Sequence, residues 1–102
     1  MSNQKEKELK LEIQIDDEIA SGRYTNMAVI NHNDSEFVFD FIYVQPQAPK
    51  AKVQSRLITS PRHAKRLLKV LQHNVDAYER QNGKIELSES AQPPATTEGP
   101  VH

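Results

Sequence analysis

The stretch "EFVFDFIYV", residues 36–44, decides the fold of this chain. Aromatic and aliphatic side chains alternate along it, which is typical of a β-strand with two apolar faces. One carboxylate, Asp40, interrupts one of these faces. Turn residues "HNDS" precede the stretch and "PQAP" follows it. We therefore predict a strand over residues 36–45 that ends in a turn on both sides.

Three further strands are predicted from the same alternation and from the turn residues that flank it. They are "LKLEIQI" at residues 9–15, "RYTNMAVIN" at residues 23–31 and "AKVQSRLIT" at residues 51–59. The connections between the strands are short, and short connections favour antiparallel neighbours. The sequence therefore predicts a four-stranded antiparallel sheet.

One long helix is predicted after the last strand. Ser60 is a suitable N-cap, Pro61 fits the first helical turn, and Gly83 is the expected stop. Between them, apolar side chains recur at helical spacing and form one stripe. The stripe consists of Ala64, Leu67, Leu68, Leu71, Val75 and Tyr78. We predict an α+β fold in which this C-terminal helix packs across the aromatic face of the sheet.

The register predicted for the central hairpin gives Asp40 a role. Folding residues 36–45 onto residues 51–59 places Asp40 opposite Arg56 and Phe39 opposite Leu57. A cross-strand ion pair is the simplest interpretation of this match, and a slip of one residue would lose it. The sequence places no nucleophile and no second acid beside Asp40, so a structural or interface role is favoured over a catalytic one. The same register predicts that Tyr43 faces Val53.

The sheet face turned away from the helix is predicted to be a subunit interface. It combines aliphatic side chains with the ion pair, which is unusual for a surface that faces only solvent. A domain within 102 residues has a small core, and oligomerisation is one common remedy. We therefore expect a homo-oligomer, either a dimer or a tetramer. The interface candidates are Val38, Asp40, Ile42, Arg56 and Ile58.

The first half of the predicted helix is basic on the side opposite the apolar stripe. Cations near a helix N-terminus oppose the macrodipole, so something is expected to compensate them. Three interpretations stay open: a solvated helix face, an acidic protein partner, and an anion such as nucleic acid. The anion-binding candidates are Arg62, Lys65, Arg66 and Lys69.

Several classes of function find no support in the sequence. The chain has no cysteine, so disulfides and thiolate metal sites are excluded. His63 and His73 lie nearly opposite each other around the helix and cannot share a metal within one chain. No zinc spacing, phosphate loop or catalytic motif is present. We therefore expect no enzymatic activity and no cofactor, and the net charge of −1 gives no general attraction to nucleic acid or membranes.

The organisation of the chain predicts one domain with two tails. Residues 1–8 and 88–102 have the composition of disordered segments, which leaves a single α+β domain over residues 9–87. No stretch approaches the ~20 apolar residues that span a bilayer. The N-terminus lacks the apolar core of a signal peptide, so we expect a cytoplasmic protein.

Two long segments carry a resemblance to known proteins: "GRYTNMAVINHNDSEFVFDFIYVQP" and "VQSRLITSPRHAKRLLKVLQHNVDAYERQNGKI". With the spacing between them, they make residues 9–87 similar to a bacterial family of small proteins, a domain of unknown function seen often in the Bacteroidetes. That family carries no established activity, so the resemblance implies no functional residue. The positions that match are Tyr24, Asn26, Glu36, Phe37, Asp40, Phe41, Ser55, Arg56, Ser60, Pro61, Lys65, Leu68, Asn74, Tyr78, Glu79 and Gly83.

The order of elements gives a second resemblance, at the level of the fold. Strands followed by a long helix, ending in "LQHNVDAYERQNGKIEL", are similar to the export chaperone SecB. SecB assembles as a tetramer through sheets and helices, so the resemblance implies a comparable assembly here. The function expected from the sequence is thus a homo-oligomeric interaction or adaptor protein. The alternative is a protein that binds nucleic acid or another anion through the basic helix face.

Overall fold

A computed structural model describes residues 10–47 and 49–88. In chain order its elements are α1 (Asp17–Ala20), β1 (Met27–His32), β2 (Phe37–Val44), β3 (Ala51–Thr59) and α2 (Pro61–Asn82). The strands form one antiparallel sheet in the order β1-β2-β3, so β2 is the central strand. The predicted α+β class, the antiparallel sheet and the C-terminal helix are confirmed. The tails predicted over residues 1–8 and 88–102 lie outside the described residues, apart from Ser88.

The sheet has three strands where the sequence predicts four. Residues 10–16 belong to no helix or strand, Leu9 lies outside the described residues, and every residue from 10 to 24 is exposed. The alternation of apolar and polar residues is real, but a strand also needs a neighbour that satisfies its backbone hydrogen bonds. In the described part of the chain no neighbouring strand pairs with residues 10–16.

The pairing of β2 with its neighbours follows the predicted register in the first half of the hairpin. Asp40 faces Arg56 and Phe39 faces Leu57 on β3. On the other side of β2, Val29 of β1 faces Asp40. The carboxylate therefore lies in the middle strand of the sheet, directly beside the predicted cation.

A β-bulge changes the register in the second half of the hairpin. The pairing shifts immediately after Phe41, because Gln54 is an extra residue on β3. Tyr43 consequently faces Lys52, and the predicted pairing of Tyr43 with Val53 is wrong. The side chain of Gln54 donates a hydrogen bond to the backbone carbonyl of Lys52 at 3.4 Å.

Both ends of α2 lie where the sequence predicts them. The Ser60 hydroxyl accepts a hydrogen bond from the backbone N–H of His63 at 3.1 Å, and Pro61 is the first helical residue. At the other end, Gly83 has a φ of 93° and its N–H donates to the carbonyl of Glu79 at 2.9 Å. A glycine favours this position because a Cβ is strained at positive φ.

The predicted packing of α2 across the aromatic face is wrong for a single copy of the described chain. No residue of α2 is buried, and the large side chains of its apolar stripe remain 39–62% exposed. The extensive contacts join β1 to β2 and β2 to β3, and α2 has no comparable contact with a strand. One residue, Ser60, separates β3 from α2, whereas connections that fold a helix back onto its sheet commonly have about 2–6 residues.

The core of the described chain is confined to the central strand. Its buried residues are Val38, Phe39, Asp40 and Ile42, and Val38 is covered almost completely. One of these four is a charged residue. So small an apolar core leaves a thin margin of stability for a single copy of the chain.

Candidate functional site

The Asp40–Arg56 pair is the best-defined polar arrangement in the sheet. The Nε of Arg56 donates to Oδ1 of Asp40 at 2.7 Å, and its Nη2 donates to Oδ2 at 2.9 Å. This is the bidentate geometry in which a guanidinium binds a carboxylate most strongly. The Asp40 side chain is 9% exposed and the Arg56 side chain 48%, because the first lies on the central strand and the second on an edge strand.

The electrostatics of the pair keep both groups charged. The hydrogen bond from Arg56 is the main reason that the pKa of Asp40 lies below its ordinary value. Burial acts in the opposite direction, and the positive charge of Arg56 adds to the lowering. The same hydrogen bond and the charge of Asp40 raise the pKa of Arg56. A carboxylate that is ionised and bound through both oxygens is poorly suited to donate a proton, so the geometry fits a structural role.

The five interface candidates share one face of the sheet but differ in exposure. Val38, Asp40 and Ile42 are buried by their own chain, whereas Arg56 and Ile58 remain exposed on β3. Alternation in the sequence correctly assigns these residues to one face. It cannot show that β2 is central and β3 lies at the edge. A partner can therefore contact Arg56 and Ile58 directly, while the other three lie beside them on the central strand.

The two edges of the sheet are unequal. On β3, Val53, Leu57 and Ile58 are 46%, 52% and 59% exposed. On β1, residues 27–29 are half-buried and Ile30 is barely exposed, at 37%. An exposed strand with large apolar side chains is a ready site for pairing with another strand. We call the outer side of β3 the β3 edge.

The basic half of α2 presents its charges to solvent. Arg62 and Lys65, with Ser60 and Pro61, line an open depression at the start of the helix. The first turn contains no acidic residue that would neutralise these cations. The structure thus brings two of the four anion-binding candidates to one depression. All four candidates are exposed: Arg62, Lys65, Arg66 and Lys69.

Sequence reasoning missed a side chain that fixes the start of β1. The Oδ1 of Asn26 accepts from the backbone N–H of Val44 at 2.9 Å, and its Nδ2 donates to the carbonyl of Val44 at 3.1 Å. The backbone N–H of Asn26 also donates to the carbonyl of Ile42 at 3.0 Å. An amide side chain directly before a strand is the signal that could have predicted this clamp.

The chain before β1 crosses the end of the sheet. The ring of Tyr24 lies edge-to-face against Tyr43 of β2, with ring centroids 6.1 Å apart. One residue earlier, Nη1 of Arg23 donates to Oε1 of Gln54 on β3 at 3.5 Å. Residues 23 and 24 therefore extend from β1 past β2 towards β3, and the segment before them leaves the sheet on the β3 side.

Two kinds of feature are absent from the described residues: a group of side chains that could hold a metal ion, and a helix that could cross a membrane. Residues 10–47 and 49–88 contain no group of three or more His, Cys, Asp or Glu side chains that could hold a metal ion. Among the same residues, neither helix combines the length and the apolar character that crossing a bilayer requires.

Comparison with known proteins identifies the family. The chain belongs to the family described as "Protein of unknown function (DUF3467)", whose model matches residues 1–87. No curated protein and no solved structure matches the chain. The resemblance to a family of unknown function is thereby confirmed. The distribution in the Bacteroidetes and the likeness to SecB stay predictions.

Proposed function

We propose that this member of the DUF3467 family is a non-enzymatic interaction module that works as a homo-oligomer in the bacterial cytoplasm. A second copy of the chain covers the apolar stripe of α2 and the β3 edge. The observation that carries the proposal is the stripe itself, whose large apolar side chains stay exposed along a helix of 22 residues.

The stability of α2 requires that its apolar stripe pack against another surface. Most helices in proteins derive their stability from packing of an apolar face rather than from intrinsic propensity. A helix of 22 residues is about 33 Å long and about 10–12 Å wide, so one face offers roughly 350 Å². An apolar patch of this size is comparable to the largest patch on a typical monomer, and such patches are often functional.

The charges beside the stripe favour a second copy in antiparallel orientation. Lys65 lies in the first half of α2, at the margin of the basic side, and Glu79 lies in the second half, beside the stripe. Their spacing of 14 residues leaves them only about 40° apart around the helix axis, on the same side of the stripe. When two α2 helices pack antiparallel, equal flanks face each other, so Lys65 of one copy approaches Glu79 of the other. The helix is thus self-complementary, which a twofold symmetric dimer requires.

The size of the contact indicates that helices alone are insufficient. Two facing α2 helices bury roughly 700 Å², whereas a stable interface buries about 1,200–2,000 Å² in total. The sheet must contribute the remainder, and its β3 edge is the more exposed apolar edge. An assembly through both helices and sheets is also what the resemblance to SecB implies, and it forms the finer part of this proposal.

Light scattering tests the proposal with one variant and a matched control. The wild-type chain at tens of micromolar should have the mass of a dimer or tetramer. Leu68→Glu places a carboxylate in the stripe and should reduce the mass to that of one chain. His73→Glu adds a carboxylate on the opposite side of the same helix, where the side chain is exposed, and should leave the mass unchanged. A wild type that is monomeric throughout this range would contradict the proposal.

The second candidate function is anion binding, and the depression at the start of α2 supports it. There Arg62 and Lys65 flank the N-terminal turn without an acidic neighbour in that turn. Fluorescence anisotropy with a labelled single-stranded oligonucleotide at several salt concentrations tests this function. Phosphate contacts predict a slope of log affinity against log salt of about −0.7 per contact. Lys65→Glu should abolish binding, and absence of wild-type binding at low salt would exclude nucleic acid.

A further inference from the structure

We infer that residues 10–16 of one chain add as a fourth strand to the β3 edge of a second copy. We call these residues the N-terminal arm. The inference rests on the proposed self-association and names the contact that makes it specific. In this arrangement each sheet has four strands, and the outermost strand comes from the partner.

The arm has the side-chain pattern of a strand but no cover in its own chain. Leu11, Ile13 and Ile15 are 75%, 86% and 63% exposed. They alternate with the polar residues Glu12 and Gln14, so a strand formed here has one apolar face and one polar face. Such a segment gains both backbone hydrogen bonds and apolar burial when it adds to the edge of a sheet.

The connection between the arm and the sheet points away from the chain's own edges. The chain leaves the sheet on the β3 side, where Arg23 contacts Gln54. Followed further towards the N-terminus, the chain turns at Gly22, whose φ is 78°, and then forms α1. Residues 10–22 remain exposed throughout, so the arm does not return to its own β3 although that edge is open. An arm that projects in this way can be exchanged reciprocally between two copies related by a twofold axis.

The β3 edge suits the arm better than β1 does. β3 has nine residues and β1 has six, and the apolar side chains of β3 are more exposed. The charges are also complementary, because β3 and the residue before it are basic whereas the arm and α1 are mostly acidic. The basic residues are Lys50, Lys52 and Arg56, and the acidic residues are Glu12, Asp16, Asp17 and Glu18. β1 carries no lysine, arginine or carboxylate.

Charge and apolar pattern together select a register. Antiparallel pairing with Leu11 opposite Leu57 places Glu12 opposite Arg56. The apolar side of the arm then continues the sheet face that holds the phenylalanines. On the opposite face, Asp40, Arg56 and Glu12 form a row of charged side chains that crosses from one chain to the other. A slip of one residue places the polar side of the arm on the aromatic face, so the register is strongly specified.

Disulfide trapping tests the contact directly, since the chain contains no native cysteine. Leu11→Cys and Leu57→Cys, both at exposed positions, are purified separately, mixed under reducing conditions and then oxidised. A covalent dimer should form in the mixture, and far less of it in either variant alone. The matched control replaces Leu11→Cys with Glu12→Cys, which lies on the other face of the arm and should give little dimer with Leu57→Cys.

The outcomes separate this inference from the proposed self-association. An oxidised product that forms only in the Leu11→Cys/Leu57→Cys double variant, at the mass of one chain, shows pairing within the chain and overturns the exchange. No disulfide in the mixture, with light scattering still giving an oligomer, overturns the exchange and leaves self-association standing. As a second variant, Glu12→Pro removes the backbone donor that faces Arg56 in this register and should weaken dimerisation about tenfold or more. An unchanged dissociation constant would overturn the inference.

Discussion

Truncation of the two members of the Asp40–Arg56 pair should have unequal effects on stability. Asp40→Ala leaves the guanidinium of Arg56 without its carboxylate, but that side chain is half-exposed and can bind water instead. Arg56→Ala leaves the Asp40 carboxylate nearly enclosed, with neither of the two hydrogen bonds at 2.7 and 2.9 Å. A buried group that loses its partner retains its full desolvation penalty. Arg56→Ala should therefore destabilise a single copy of the chain more than Asp40→Ala does.

The magnitudes follow from the exposure of Asp40. An exposed ion pair contributes at most about 1 kcal/mol, and breaking a fully buried pair costs about 3–5 kcal/mol. Asp40 is buried but its partner is half-exposed, so Asp40→Ala should cost about 1–2 kcal/mol in the monomer. Stranding the Asp40 carboxylate should cost about 2–3 kcal/mol. When a second copy covers the β3 edge, the guanidinium cannot rehydrate, and the cost of Asp40→Ala should rise towards 3–5 kcal/mol.

Chemical denaturation of the wild type, Asp40→Ala, Arg56→Ala and the double variant measures these effects. The double-mutant cycle isolates the coupling between the two residues. It should be run at a concentration at which the chain is monomeric and at one at which it associates, because association stabilises by mass action. A coupling indistinguishable from zero at both concentrations would refute the reasoning. The pair would then be a solvated contact, and the role of Asp40 in the central strand would need another explanation.

Three further predictions concern acid stability, the clamp on β1 and the helix contact. The folded-state pKa of Asp40 lies below the ordinary 3.8. The stability that the pair supplies is therefore present above that pH and is lost as the pH falls through the lower folded-state pKa. In acid titrations followed by circular dichroism, Asp40→Asn should lose folded structure less steeply than the wild type. Asn26→Ala removes two hydrogen bonds to the backbone of Val44 and should lower the free energy of unfolding by about 1–3 kcal/mol, measured by urea denaturation. Lys65→Glu and Glu79→Lys should each weaken dimerisation, and the double swap should restore it if α2 packs antiparallel, which sedimentation equilibrium can show.

Local chemistry made much of the fold predictable. Ser60 and Gly83 mark the ends of α2 because capping depends on residues within one turn. The first half of the hairpin register follows from one charge match, Asp40 with Arg56, in a strand whose two faces are otherwise apolar. Both kinds of signal lie in neighbouring residues or neighbouring strands, so a single sequence contains them.

The features that could not be predicted depend on longer-range contacts. No sequence pattern marks Gln54 as the extra residue of a bulge, since its side chain fits a strand as well as any polar residue. The stripe of α2 predicts that something covers the helix, but it does not show that the sheet of the same chain leaves the stripe exposed. The alternation in residues 9–15 likewise predicts a strand, but it does not show whether the sheet of the same chain offers that strand a neighbour.

The position of Arg56 connects the ion pair to the selectivity of assembly. An open apolar edge such as β3 is a hazard because it can accept any extended chain, and cations on such an edge limit promiscuous pairing. Asp40 holds the guanidinium of Arg56 at that edge through two hydrogen bonds, so an incoming basic strand meets a fixed positive charge. A strand that places a carboxylate opposite Arg56, as the proposed register does with Glu12, meets attraction instead. The carboxylate in the middle of "EFVFDFIYV" thus serves the edge strand beside it, and in the proposed assembly it favours the arm of a second copy over other strands.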